Sequence, residues 1–273
     1  MVPTLSAHGM RIPVMGLGTS KLGDCSEIVA TALRLGYRLI DTARKYGTEE
    51  GVGAGIRCSG VRREEIFVST KVSHEDLRSG DFARSVDASL SALKLDYVDL
   101  LLINWPSRQI PLAESMAALA TAKRRGLARH IGICNFNIAM IRDALRLCAE
   151  PLAVLQAEYH PFLDQSQLLA RCRETGLIFM AYCTVRHRRL FDDPVISEIA
   201  RGKGRTNAQV ALRWLIQQGN IASIPRSANP QHIAENIAVF DFSLSDDEMK
   251  KIDTLKRSDG RLSSPAGLAP AWD

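Results

Sequence analysis

Three residues in the N-terminal third of the chain have the types needed to deliver a proton: Asp41, Tyr46 and Lys71. A phenol ionises near pH ~10, too high for efficient proton exchange at neutral pH, but a neighbouring ammonium stabilises the tyrosinate and lowers that value. Lys71 is the expected ammonium. Asp41 is its expected counter-ion, keeping it charged and oriented in a partly desolvated pocket. The trio would then act as a tuned general acid, with Tyr46 protonating a carbonyl oxygen as hydride reaches the carbon. Taken singly, each residue has a plainer role open to it, Asp41 as a helix cap and Lys71 as a side chain reaching for water.

The elements that carry these residues make the plainer roles harder to sustain. Short apolar runs recur at 14–19 (VMGLGT), 38–41 (RLID), 66–71 (IFVSTK), 98–104 (VDLLLIN), 130–135 (HIGICN), 153–158 (AVLQAE), 177–182 (LIFMAY) and 221–226 (IASIPR). They are rich in Val, Ile, Leu and Phe without polar alternation, the pattern of parallel strands buried on both faces. The segments between them read as helices: Val86, Leu90 and Leu93 share one face over 85–95, and Val210, Leu212, Trp214 and Leu215 follow Asn207.

Eight such units in 273 residues fit a single-domain (β/α)8 TIM barrel over 1–273, a fold of roughly 250 residues. Gly16 and Gly18 lack the third glycine of a Rossmann turn, and the glycines of 51–55 lie in a helical segment, so an open doubly wound sheet is not indicated. In a barrel the C-terminal strand ends converge. Asp41, Lys71, Asn104, Cys134, Asn135, Gln156, Glu158, Tyr182, Arg226 and Ser227 therefore meet at one mouth, a costly burial of polar groups unless they pair or bind a ligand.

Composition narrows the class. A hydrophobic fraction of 46% and a charged fraction of 24% are those of a globular protein. No apolar run is long enough to span a membrane and the N-terminus lacks a signal-peptide layout, so the expectation is a cytoplasmic protein without a membrane partner. The six cysteines are scattered without a C-x-x-C pair and indicate neither disulfides nor a metal site. The net charge of +5 and the cluster Arg186-His187-Arg188-Arg189 carry no interleaved aromatics. They suggest a phosphate contact rather than nucleic acid.

With these residues in view, the chain closely resembles the aldo-keto reductases over nearly its whole length. The matching pieces are GLGT (16–19), LIDTARKYGTE (39–49), VSTK (68–71), DLLLINWP (99–106), IGICNF (131–136), QAEYHP (156–161), AY (181–182) and IPRSANPQHIAEN (224–236). The resemblance implies NADPH as cofactor, with NADH possible, a small carbonyl substrate, a monomer, and catalysis by an Asp, Tyr, Lys and His tetrad. Asp41, Tyr46 and Lys71 fall on its first three positions. It implies that the nicotinamide stacks on Tyr182 and that Cys134, Asn135 and Gln156 hold the carboxamide. Thr19 joins the cofactor set, and the loop bearing Cys183, Val185 and His187 lies over the pyrophosphate. Arg226, Ser227, Asn229 and His232 would grip the adenosine 2′-phosphate, with Glu235 and Asn236 at the adenine.

The departures from the family pattern set further expectations. Asn104 stands at the tetrad histidine; its amide can donate a hydrogen bond to a carbonyl but cannot relay a proton. Arg226 replaces the usual lysine, and His232 replaces an arginine and is mostly neutral at pH 7, so NADPH preference should narrow. Ser20 replaces a tryptophan at the rim, leaving Trp105 in the substrate pocket. The tail over 255–273 is expected to fold across the mouth with Trp272 near the pocket. Two other functions compete: a catalytically weak nicotinamide-binding or regulatory protein, raised by Asn104, and a Schiff-base lyase using Lys71.

Overall fold

The computed structural model describes residues 2–273. A short antiparallel hairpin, β1 (Thr4–Ala7) and β2 (Met10–Pro13), precedes eight parallel strands. These are β3 (Leu17–Gly18), β4 (Leu39–Asp41), β5 (Phe67–Val72), β6 (Val98–Ile103), β7 (Ala128–Cys134), β8 (Leu152–Glu158), β9 (Ile178–Tyr182) and β10 (Ile221–Ser223). They pair in chain order. The ring closes through a parallel bridge between Met15 and Ser223, with Gly16 N–H donating to Ser223 O at 2.8 Å and Gly18 N–H to Pro225 O at 3.0 Å.

Two different close approaches explain the glycines that resembled a nucleotide-binding turn: a Cβ on Gly16 would collide with Leu39 Cγ in the barrel interior, and Gly18 serves the closure. A Cβ on Gly18 would stand 2.9 Å from Ile224 O, too near for the first and last strands to meet. The first and last strands are shorter than the apolar runs over 14–19 and 221–226, because Pro225 has no N–H with which to continue a ladder.

Two apolar layers hold the barrel. Inside it, Leu39, Phe67, Leu100, Leu102, Val154, Ile178, Met180 and Ala222 pack together, and Met10 and Ile12 of the hairpin seal the end where the strands begin. Outside it, the strands pack against helices α1 (Ser26–Arg34), α2 (Glu49–Ser59), α3 (Ser79–Leu93), α4 (Leu112–Arg124), α5 (Ile138–Leu147) and α6 (Ser166–Thr175). Two helices follow β9, α7 (Pro194–Lys203) and α8 (Asn207–Gln217), and two follow β10, α9 (Pro230–Ile237) and α10 (Asp246–Asp253). The expected buried faces are present: Val86, Leu90 and Leu93 in α3, and Val210, Leu212, Trp214 and Leu215 in α8. With the hairpin sealing one end, the opposite end is left open for a site. All six cysteines are free thiols, and no helix among the described residues is long and apolar enough to cross a membrane.

Candidate active site

Strand register places the charged trio. Asp41 ends β4 opposite Ser69 of β5, and Lys71 follows two residues later on the same face of that strand. The Lys71 side chain is buried, and its Nζ donates to Asp41 Oδ2 at 2.7 Å and to Thr42 O at 2.7 Å. Asp41 Oδ1 accepts from Ser69 Oγ at 2.6 Å and from Gln156 Nε2 at 2.9 Å. A 3-10 turn (Arg44–Tyr46), ended by Gly47 in the left-handed region, returns Tyr46 over the pair. Lys71 Nζ lies 5.1 Å from the Tyr46 ring centroid. Two of the three ammonium protons are committed, which leaves one for the phenol oxygen.

The electrostatics correct one expectation. Removal of the Tyr46 hydroxyl from bulk water pushes its pKa up to about 12. Lys71 does lower it, as anticipated, but burial outweighs that pull and the Asp41 carboxylate adds to the rise. The phenol is therefore held protonated, not brought toward neutrality. For Lys71 burial acts downward, but Asp41 overrides it and holds the ammonium above its ordinary value.

Above the trio opens a cavity of about 970 Å³. Asp41, Tyr46, Asn104 and Trp105 line it on one side, with Cys134, Asn135, Gln156 and Tyr182 continuing the wall. Lys71 sits beneath this surface. Asn104 is 7% exposed, and its side-chain amide has no hydrogen-bond partner among the described residues, so it can meet a ligand. Asn135, at φ +64°, donates from Nδ2 to Asn104 O at 2.9 Å and accepts from the Tyr182 hydroxyl at 2.7 Å. Cys134 Sγ contacts Gln156 Oε1 at 3.6 Å, and burial pushes its thiol up, so it stays protonated. Because Asp41 can only accept, Gln156 turns Nε2 toward it, which leaves Oε1 to accept from the Cys134 thiol with one lone pair to spare.

A second stretch of wall is formed by Thr19, Ser20, Cys183, Val185 and Arg226. Thr19 is buried and donates to Asp41 O at 3.0 Å. Arg226 is exposed, with Nη1 donating to Ser20 O at 3.2 Å. Beyond it, Ser227 Oγ accepts from Asn229 N at 3.0 Å, and Asn229 caps α9 by accepting from Gln231 N at 2.9 Å. His232 is exposed, Glu235 Oε1 accepts from Gln231 Nε2 at 2.9 Å, and Asn236 is buried. These five residues lie past the cavity wall on the loop and α9. His187 also lies off the wall, with its ring 4.7 Å from Phe162 and 5.3 Å from His160.

Three wall residues were not anticipated, Lys21, Lys45 and His74, whereas Arg186 belongs to the basic cluster expected at a phosphate, and Leu262, Ser263, Ser264, Pro265 and Leu268 belong to the tail expected across the mouth. Lys45 precedes Tyr46, and His74 follows β5 by two residues. Position just past a strand's C-terminal end was the available signal for both. Trp272 is not on the wall; it packs edge-on against Trp105 with centroids 6.1 Å apart.

The sequence model of the aldo/keto reductase family matches residues 14–257. The methylglyoxal reductase DkgB of Yersinia pestis is 41% identical over 97% of this chain and 100% of its own length. A crystal structure provisionally assigned as a 2,5-diketo-D-gluconic acid reductase B superposes with a TM-score of 0.98 at 41% identity, covering 100% of this chain and 98% of the other. An aldo-keto reductase of Bombyx mori, solved in complex with NADP, gives 0.88 at 32% identity over 94% of each chain.

Proposed function

Because the chain belongs to the aldo-keto reductase family, and is thus an oxidoreductase of carbonyl and alcohol groups, we propose that it reduces a small aldehyde, ketone or keto sugar with NADPH. Tyr46 supplies the proton in this reading. The observation that carries it is the buried Lys71–Asp41 pair beneath a half-buried phenol at the cavity floor.

The residues present fit the cofactor. The Tyr182 ring offers a stacking face, Gln156 Oε1 an acceptor for a carboxamide N–H, and Asn135 and Cys134 lie alongside. Arg226, the Ser227 hydroxyl and the N-terminus of α9 supply positive charge and donors for a 2′-phosphate. Bound NADPH would supply hydride to the carbonyl carbon. The protein's own part is to hold the carbonyl oxygen near the Tyr46 hydroxyl, which donates its proton as negative charge develops there, while Lys71 stabilises the tyrosinate left behind. Catalytic efficiency should be higher with NADPH than with NADH, by a margin limited by the exposed His232; a clear NADH preference would overturn this assignment of the phosphate grip.

Asn104 sits on the cavity wall with an uncommitted amide, able to donate to the same carbonyl oxygen as Tyr46. Since the proton comes from Tyr46, Asn104→His should leave turnover unchanged or raise it across a carbonyl panel. A fall with every compound would show that Asn104 is itself required.

A catalytically weak nicotinamide-binding protein is the second reading, favoured only by Asn104 itself. The lyase reading is opposed by Lys71, whose ammonium is buried, doubly hydrogen-bonded and held protonated, whereas a Schiff base needs a free amine. Borohydride in the presence of a carbonyl compound should therefore leave Lys71 unmodified.

A further inference from the structure

Glu158 ends β8 two residues after Gln156, and the proposed proton transfer makes no use of it. Its side chain is 0% exposed and has no lysine or arginine partner among the described residues. Three N–H groups satisfy it instead. Oε1 accepts from His160 Nε2 at 3.0 Å and from Leu262 N at 2.6 Å, and Oε2 accepts from Ser263 N at 2.7 Å. Phe162 N donates to His160 Nδ1 at 3.3 Å, which places the histidine proton on Nε2, facing the carboxylate. Burial would raise the Glu158 pKa, but these donors more than offset it and hold the carboxyl below its usual range. A buried, ionised carboxylate is thus spent on two consecutive backbone amides of the C-terminal tail, more than a hundred residues away.

Those amides belong to the segment that forms the outer cavity wall, Leu262, Ser263, Ser264, Pro265 and Leu268. The other tail anchors are exposed: Arg108 Nη2 to Ala269 O at 2.8 Å, Asn137 Nδ2 to Ala271 O at 2.9 Å, and Ile138 N to Asp273 Oδ2 at 2.9 Å. Charge-assisted bonds out of water are stronger than bonds exposed to solvent, whether charged or neutral, so the attachment at Glu158 dominates. We infer that Glu158 is a positioning residue for the substrate pocket: it pins Leu262 and Ser263 so that the tail forms a fixed wall beside Tyr46 and Trp105. It touches neither the reacting carbonyl nor the hydride path. Its effect should therefore fall on substrate binding and spare the chemical step.

The kinetic part of this inference rests on the reductase reading; the structural part does not. Two variants separate them. Glu158→Gln keeps the side-chain size but offers one oxygen where two backbone donors must be met. Ser263→Pro removes one donor from the tail and leaves the barrel untouched, which keeps the test open should the buried substitution prevent folding. Hydrogen exchange of the ligand-free protein should show the Leu262 amide exchanging at least about tenfold faster in either variant, as expected on losing charge-assisted contacts. With one carbonyl substrate, KM should rise about tenfold while kcat stays within about threefold. Unchanged exchange in both variants overturns the latch whatever the kinetics. Faster exchange with unchanged KM overturns its role in the substrate pocket. A wild-type protein with no NADPH turnover sinks the reductase reading instead, and the exchange result alone then decides the latch.

Discussion

Lys71→Met should lower stability to urea by about 3–5 kcal/mol, the usual consequence of removing one member of a buried ion pair. Lys71 is 1% exposed and Asp41 2%, so the variant strands a carboxylate that keeps only Ser69 and Gln156 as donors. Replacing both partners with apolar side chains, Asp41→Leu with Lys71→Met, removes the stranded charge and should recover most of the loss. Turnover should not recover with it, since the ammonium facing Tyr46 is still gone. If the double variant regains activity together with stability, the pair is a structural filler and has no part in tuning Tyr46.

The pH dependence of the pair follows from its sign. The folded-state pKa of Lys71 is raised. Its contribution is therefore complete below the unfolded value of about 10.4 and is lost only as pH rises through the folded value. Denaturation midpoints should show no loss attributable to Lys71 across neutral pH.

Tyr46→Phe should reduce kcat by roughly 10²–10⁴, the range ascribed to a positioned general acid. The substitution removes one oxygen from a ring that remains beside Lys71, so NADPH affinity should change little. A pKa of about 12 in the unliganded protein means that the donor form is fully populated at neutral pH. Reduction should accordingly hold its rate from neutral into mildly alkaline solution, whereas alcohol oxidation, which needs the tyrosinate, should accelerate as pH rises. A Tyr46→Phe enzyme with near wild-type kcat would place the acid elsewhere.

The barrel could be read from the chain because its strands fall in short runs rich in Val, Ile, Leu and Phe, and the segments of α3 and α8 show a clear buried face. Asp41, Lys71, Asn104 and Gln156 could be located because strand ends in a barrel share one mouth, so residue type and position suffice. The raised pKa of Tyr46 could not. It is a balance between desolvation and two opposed charges, and the depth of the phenol is a three-dimensional quantity. The hairpin at 4–13 escaped notice because four-residue strands show too little periodicity, although His8-Gly9, both at positive φ, forms the two-residue turn that such hairpins favour. Lys45 lies in a single 3-10 turn and His74 on a loop, where no periodic pattern marks them. Glu158 was visible as a polar strand end, but its partners are amides of the distant tail, which sequence spacing does not connect to it. Gly16 and Gly18 show the reverse case: a motif-like spacing whose physical reasons are interior packing against Leu39 and the closure of the barrel.

The cavity above Asp41, Tyr46 and Lys71 is proposed to reduce a carbonyl compound at the expense of NADPH. The most direct test is to follow NADPH absorbance with the wild-type protein against a panel of small aldehydes, ketones and keto sugars, together with a binding titration of NADPH alone. The expected result is tight NADPH binding and stoichiometric conversion of at least one compound to its alcohol. Tight binding without turnover of any of them would contradict the claim and leave a nicotinamide-binding protein whose Asn104 marks a lost activity.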